Sequence, residues 1–61
     1  MIDKLNNEYV TLVVEPKDAV SGMLEKLGDR WMITNGYNET YGFKEHDVID
    51  IDVNCKIIYL R

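Results

Sequence analysis

Residues 19–36 read AVSGMLEKLGDRWMITNG, two segments of strand-forming residues joined by a tight turn. Gly22 lies in the middle of the first segment, residues 19–27. A glycine inside a strand usually marks a sharp bend or a close approach of another backbone. Gly28-Asp29 is the turn, because glycine accepts a positive φ without strain. The stretch therefore predicts a bent strand, a turn and a further strand at residues 30–34.

More strands are predicted on both sides of this stretch. Residues 9–14 are rich in β-branched side chains and predict a first strand, with a turn at residues 15–18 around Pro16. Asn35-Gly36 predicts a two-residue type I′ hairpin. The chain then returns through a strand at residues 40–44, which a short turn at residues 45–47 ends.

The last third of the chain predicts two strands of different character. Residues 48–53 alternate, so we expect one face to point inward, formed by Ile49, Ile51 and Val53, with Asp50 and Asp52 outward. Residues 56–61 are apolar on both faces, and an exposed edge strand of that kind invites pairing with another chain. We therefore predict that this strand forms a subunit interface, made by Ile57, Ile58, Tyr59 and Leu60.

The predicted architecture is one small domain, residues 1–61, of the all-β class. It begins with a short helix that has Ile2 and Leu5 on one face. Five or six short strands with frequent turns then favour a small, strongly bent antiparallel barrel. The expected core residues are Val10, Leu12, Val14, Val20, Leu24, Trp31, Ile33, Phe43, Ile49 and Ile51.

Composition restricts the function further. The 61 residues carry a net charge of −4, which opposes a nucleic-acid interface over the whole surface. One Cys and one His make neither a disulfide nor the usual zinc site, so we expect no metal and no cofactor. No apolar run reaches membrane-spanning length and residues 2–7 do not resemble a signal peptide, so we expect a cytoplasmic location and no membrane partner. A domain this small is marginally stable alone, which favours oligomerisation.

No side-chain pattern of a known catalytic type is present, and we expect a protein that is not an enzyme. Asp50 and Asp52 share a strand face but have no nucleophile or third ligand nearby in sequence, and Cys55 has no activating base. The candidates for nucleic-acid contact are two basic residues and two aromatic residues, since bases stack on aromatic rings. They are Lys44, His46, Trp31 and Tyr37, and each also has an ordinary structural explanation as an exposed, core or loop residue.

The order of these elements resembles the Sm/LSm family of small SH3-like barrels, which includes bacterial Hfq. Residues 2–14 are similar to the leading helix and first strand of that family, and Gly22-Met23-Leu24 is similar to its Gly-x-Leu in the bent second strand. Residues 27–33 occupy the place of the apolar-Asp-x-x-apolar segment. The second motif has two possible registers: residues 41–46 resemble the Tyr-Lys-His stretch of Hfq with one residue inserted, and residues 54–60 resemble the closing strand.

The resemblance implies an Sm-like barrel that assembles into a homo-oligomeric ring of about five to seven subunits, in which edge strands of neighbours pair. It also implies single-stranded RNA as a ligand at a pore lined by Lys44 and His46. The alternative is an acidic protein-interaction module of SH3-like fold that binds or modulates a protein partner, which the net charge favours.

Overall fold

The computed structural model describes residues 2–14 and 18–61. Two short 3₁₀ turns, Ile2–Leu5 and Glu45–Asp47, accompany the strands β1 (Tyr9–Val14), β2 (Asp18–Leu27), β3 (Arg30–Thr34), β4 (Thr40–Lys44), β5 (Val48–Asp52) and β6 (Ile57–Leu60). The all-β prediction with a short N-terminal helix is confirmed. The predicted turn at residues 15–18 lies outside the described residues apart from Asp18, which begins β2.

All six strands form one sheet in the order β4-β3-β2-β1-β6-β5. Four of the five pairings are antiparallel, and the pairing of β1 with β6 is parallel. The two edge strands, β4 and β5, are consecutive in the chain and only the 3₁₀ turn at Glu45–Asp47 separates them. Because three residues span a short distance, the sheet must curl so that the end of β4 and the start of β5 lie close together.

The curl is concentrated in β2, which pairs with β1 through its first half and with β3 through its second half. Gly22 marks the change. A Cβ atom at this position would lie 2.3 Å from the Thr34 carbonyl oxygen and 2.7 Å from the Ile33 side chain. No side chain fits there, which confirms the predicted close backbone approach in the bent strand.

The core lies between the two halves of the curled sheet and is closed at one end by the first 3₁₀ turn. It consists of Ile2, Leu5, Val10, Leu12, Leu24, Trp31, Ile33, Phe43, Ile58 and Leu60. Six of the ten expected core residues are fully buried, and Val14, Val20 and Ile51 pack against the cluster. The exception is Ile49, which is 49% exposed.

A β-bulge explains why the expectation for Ile49 is wrong. Val48 pairs with Leu60 and Asp50 pairs with Tyr59, so the extra residue Ile49 has no partner of its own. The bulge gives the inward positions to Val48 and Ile51. The inward expectation for Val53 is wrong too, because this residue follows the end of β5 and is exposed.

The expectation that residues 56–61 form an edge strand is also wrong. β6 lies inside the sheet, with β1 on one side and β5 on the other. Ile58 and Leu60 point into the core, while Ile57 and Tyr59 are half-buried on the outer face. Apolar residues on both faces therefore mark an interior strand of the sheet here.

The β3–β4 hairpin differs from the predicted type I′ turn. The N–H of Asn35 donates to the carbonyl of Glu39 at 3.0 Å, and the N–H of Asn38 donates to the carbonyl of Asn35 at 3.1 Å. The loop thus has three residues, and the positive φ of 62° falls on Asn38. The Asn35 side chain fixes this loop by accepting hydrogen bonds from the N–H groups of Tyr37 and Glu39.

Candidate functional site

The structure separates the four residues that were candidates for nucleic-acid contact. Trp31 is 1% exposed and pairs with Phe43 on the inner face of the curled sheet, so the base-stacking hypothesis for Trp31 is wrong. The ammonium of Lys26 lies 5.5 Å from the centre of its ring. Tyr37 is 87% exposed at the tip of the β3–β4 hairpin.

Lys44 and His46 lie near each other at the opposite end of β4 from Tyr37. Lys44 ends the strand and His46 follows in the 3₁₀ turn, where its Nε2 lies 3.5 Å from Asp47 Oδ1. The two basic residues form one small exposed group, and Tyr37 belongs to another part of the surface. RNA contact by Lys44, His46 and Tyr37 stays a prediction.

The predicted subunit interface is divided between two faces of β6. Ile58 and Leu60 are 0% and 2% exposed, so the prediction that these two contact another subunit is wrong, because they are part of the core. Ile57 and Tyr59 lie on the outer face beside Asp52 and Asp50. An interface through Ile57 and Tyr59 stays a prediction.

The free edge of β4 has open backbone groups. The hydrogen bond from the N–H of Asn35 to the carbonyl of Glu39 sets the alternation of the antiparallel β3–β4 ladder. The backbone groups of Tyr41 and Phe43 therefore bond to β3. Those of Thr40, Gly42 and Lys44 point away from β3, toward the free edge. The outward N–H of Lys44 donates to Asp47 Oδ2 at 3.4 Å. Thr40 and Gly42 have no such acceptor within residues 2–14 and 18–61.

At the free edge of β5, the outward backbone donors are already hydrogen-bonded within the chain. The N–H of Thr11 donates to the carbonyl of Lys56, which sets β6 so that Ile57 and Tyr59 bond toward β5. The backbone N–H and C=O groups of Val48 and Ile51 then point away from β6, toward the free edge, while their side chains face the core. The Val48 N–H donates to the Glu45 carbonyl, and the Ile51 N–H donates to Asp50 Oδ1 at 2.9 Å. With the bulge at Ile49, this edge offers a visiting strand no open donor at either position.

The outer face of the β4 edge is basic. Arg30 lies directly opposite Lys44, and two like charges at such positions repel each other. The ion pairs within the described residues are His46–Asp47 and Lys56–Glu8, so neither cation of this pair is neutralised there. The Arg30 guanidinium lies over Gly42, with Nη2 3.5 Å from where a Cβ of residue 42 would be.

Sequence reasoning did not single out Arg30 or Gly42. Gly42 sits in the middle of β4, and a glycine inside a strand is a sign of close approach by another group. The rule that predicts the bend at Gly22 applies equally to Gly42. Arg30 could be found only from the β3–β4 register, which depends on the length of the hairpin loop.

Within the described residues, no cluster of three or more metal-ligating side chains and no ligand-sized pocket is present. No helix in that part of the chain is long and apolar enough to cross a bilayer. Cys55 is exposed in the β5–β6 loop. A hydrogen bond to Asp52, together with the negative charge of that carboxylate, raises the pKa of the Cys55 thiol, the opposite of what activates a nucleophile.

Comparison of the chain with protein-family models, curated proteins and solved structures finds no match.

Proposed function

We propose that this chain is a non-enzymatic protein-interaction module that binds an extended segment of a partner chain by strand addition at β4. The observation that carries the proposal is the difference between the two edges. Thr40 and Gly42 direct open N–H and C=O groups outward from β4, whereas the outward donors of β5 are already bonded. One edge of this sheet is available for a partner strand.

Strand addition uses main-chain hydrogen bonds for affinity and alternate side chains for specificity. An added antiparallel strand would form two hydrogen-bonded pairs, one at Thr40 and one at Gly42, giving four bonds. At about 1 kcal/mol each, these bonds alone support weak binding. Side-chain contacts must then supply the rest of the affinity and choose the partner.

The test is a selection of nine-residue peptides from a displayed random library against the folded chain, with a matched pair of variants. Gly42→Pro removes the outward N–H and leaves the β3–β4 bonds intact, because residue 42 does not bond to β3. Gly42→Ala keeps the N–H, and its Cβ fits at ordinary contact distance from Arg30. We expect selected peptides to bind the wild type and Gly42→Ala, to lose binding to Gly42→Pro, and to shift the amide resonances of Thr40–Lys44.

Peptides that bind Gly42→Pro as well as Gly42→Ala, or that shift resonances elsewhere on the sheet only, would overturn strand addition at β4. A spectrum of each variant shows whether the rest of the sheet keeps its fold. Pro is tolerated on edge strands where its nitrogen faces outward.

A second candidate is the Sm-like homo-oligomeric ring. The observation that favours it is that β4 and β5 are the two edges of one sheet, so that β4 of one copy and β5 of the next would form a head-to-tail contact that can close. Such a contact requires the internal hydrogen bonds of Val48 and Ile51 to break. Light scattering on a gel-filtration peak over a tenfold concentration range tests it. A mass of about five to seven subunits that persists on dilution supports the ring, and a 7.1 kDa monomer removes it.

Single-stranded RNA is the ligand that the ring hypothesis adds. The exposed basic group of Arg30, Lys44 and His46 favours it, because phosphate contacts require a local excess of cations. An oligo-uridine titration at two salt concentrations should show affinity that falls steeply with salt and is lost in Lys44→Glu. Binding that ignores salt and Lys44 would exclude this interpretation.

A further inference from the structure

We infer that the segment added to β4 carries a carboxylate directly opposite Gly42, between two apolar residues. This inference rests on the proposed strand addition and gives the chemical class of the partner: an extended acidic–apolar segment of another protein. Three features of the β4 edge support it: the position of Arg30 over Gly42, the pair that Arg30 forms with Lys44, and the apolar inner face of β4.

Arg30 selects the residue opposite Gly42. Gly42 directs its backbone groups outward, so a strand added there places one residue directly opposite it, with that side chain on the same face of the sheet. Directly opposite residues have Cβ atoms about 5 Å apart. The Arg30 guanidinium already lies 3.5 Å from the Cβ position of residue 42, so a carboxylate on the visiting residue comes within its reach. A guanidinium binds a carboxylate with paired, charge-assisted hydrogen bonds.

Lys44 favours a second carboxylate in the added segment, two positions from the first. In antiparallel addition, the residue opposite Lys44 comes two places before the residue opposite Gly42 and lies on the same face. Arg30 and Lys44 are opposite each other and share no acidic partner among the described residues. An incoming carboxylate would relieve the repulsion between these cations in addition to forming its own contacts.

The inner face of β4 requires apolar neighbours. Tyr41 and Phe43 share this face, and Phe43 is fully buried whereas Tyr41 is 40% exposed at the margin of the core. Visiting residues opposite these two would lie next to the margin and cover Tyr41. From its N-terminus the expected segment therefore alternates acidic, apolar, acidic, apolar.

Residues 50–53 of this chain have the same alternation, but their carboxylates already form hydrogen bonds within the chain. Asp50 accepts the Ile51 N–H, Asp52 accepts the Cys55 N–H at 3.0 Å, and the bulge at Ile49 interrupts the strand. A segment from another protein, free of these internal bonds, fits the β4 edge better than β5 of a second copy.

The experiment compares two defined probes against the folded chain. They are the peptides acetyl-Ser-Glu-Val-Glu-Val-Thr-Ser-amide and its Gln-Val-Gln counterpart. We expect the Glu peptide to bind about tenfold tighter, as a charge-assisted contact implies, and to shift the amides of Thr40 and Gly42. Arg30→Gln should remove most of the difference, and Lys44→Gln should remove a smaller part without changing the fold around Gly42.

Each outcome bears on a different claim. Equal affinities of the Glu and Gln peptides, both lost in Gly42→Pro, would overturn the carboxylate preference and leave strand addition standing. Binding of neither peptide would overturn the preference, while the library selection separately decides strand addition. A rise in mass without added peptide, abolished by Gly42→Pro, would show that a second copy occupies the edge and would also overturn the inference. If Arg30→Gln unfolds, a Glu-Val-Gln peptide isolates the contact opposite Gly42 in the wild type.

Discussion

The two edges of this sheet are built from strands of equal length but protected to different degrees. β5 has a bulge, two carboxylates and both of its outward donors bonded within the chain. β4 is regular, and among the described residues its one bonded outward donor is the N–H of Lys44, which Asp47 accepts at the end of the strand. Natural sheets usually block edges to prevent unwanted pairing, and the difference between these two edges is what supports the proposed strand addition at β4.

The positions of the β4 and β5 edges depend first on the bend in β2 at Gly22. Gly22→Ala should cost about 3 kcal/mol of unfolding free energy, because its Cβ would overlap the Thr34 carbonyl. The same change at Gly42 meets no backbone atom closer than 3.8 Å and should leave stability unchanged or raise it by up to about 1 kcal/mol. Urea unfolding of the two variants measures both, and a Gly22→Ala protein as stable as wild type would show that the approach is not tight.

Removing the two carboxylates of β5 should make its edge more like that of β4, although the bulge and the Val48 hydrogen bond stay in place. In the double variant Asp50→Thr, Asp52→Thr, the Ile51 N–H loses its acceptor and the edge loses both charges. We expect the mass from light scattering to at least double within a tenfold concentration range. The control is Asp3→Asn, Asp18→Asn, which changes net charge equally at exposed sites away from β5. Association of both double variants would assign the effect to net charge.

The conformation of the hairpin loop sets the register of β4, and two substitutions in the loop test it through smaller changes in stability. Asn38 has a positive φ, so Asn38→Gly should stabilise the chain by about 0.5 to 1 kcal/mol. Gly36 has no positive φ and nothing within 4 Å of its Cβ position, so Gly36→Ala should cost nothing. Thermal unfolding that reversed this order would favour the type I′ turn and a shifted β4.

The smallest effect concerns the reactivity of Cys55 next to β5. Because the hydrogen bond and charge of Asp52 raise the pKa of the Cys55 thiol, less thiolate is present at neutral pH and alkylation should be slow. The pH–rate profile for iodoacetamide should lie at higher pH than that of an unstructured cysteine peptide. Asp52→Asn should lower the pKa and shift the profile toward the peptide, and an unchanged profile would contradict the assigned cause.

Local sequence was sufficient where one residue type has one structural use. The glycine in a strand predicted the bend at Gly22, and the alternation of residues 30–34 predicted β3 with Trp31 and Ile33 in the core. These features depend on neighbours within a few residues. The polarity of each side chain was then enough to choose its face.

Pairing between distant strands was not predictable in the same way. Val48 and Ile49 are both apolar, and only the register against β6 decides that Ile49 is the bulged residue. The two apolar faces of β6 predicted an edge strand that pairs with another subunit, which is wrong because β1 and β5 of the same chain flank it. Local pattern cannot distinguish these two arrangements. The β4 edge was missed because its open groups are backbone atoms, which every sequence has.

The parallel contact of β1 with β6 has a consequence for synthesis. The ion pair that accompanies this contact joins Glu8 to Lys56, 48 residues later in the chain. At a translation rate of about 5 to 20 residues per second, about 2 to 10 seconds pass between the synthesis of β1 and the synthesis of β6. The edge of β1 that faces β6 therefore has no partner strand during that interval, and this pairing forms only after residues 57–60 have been made.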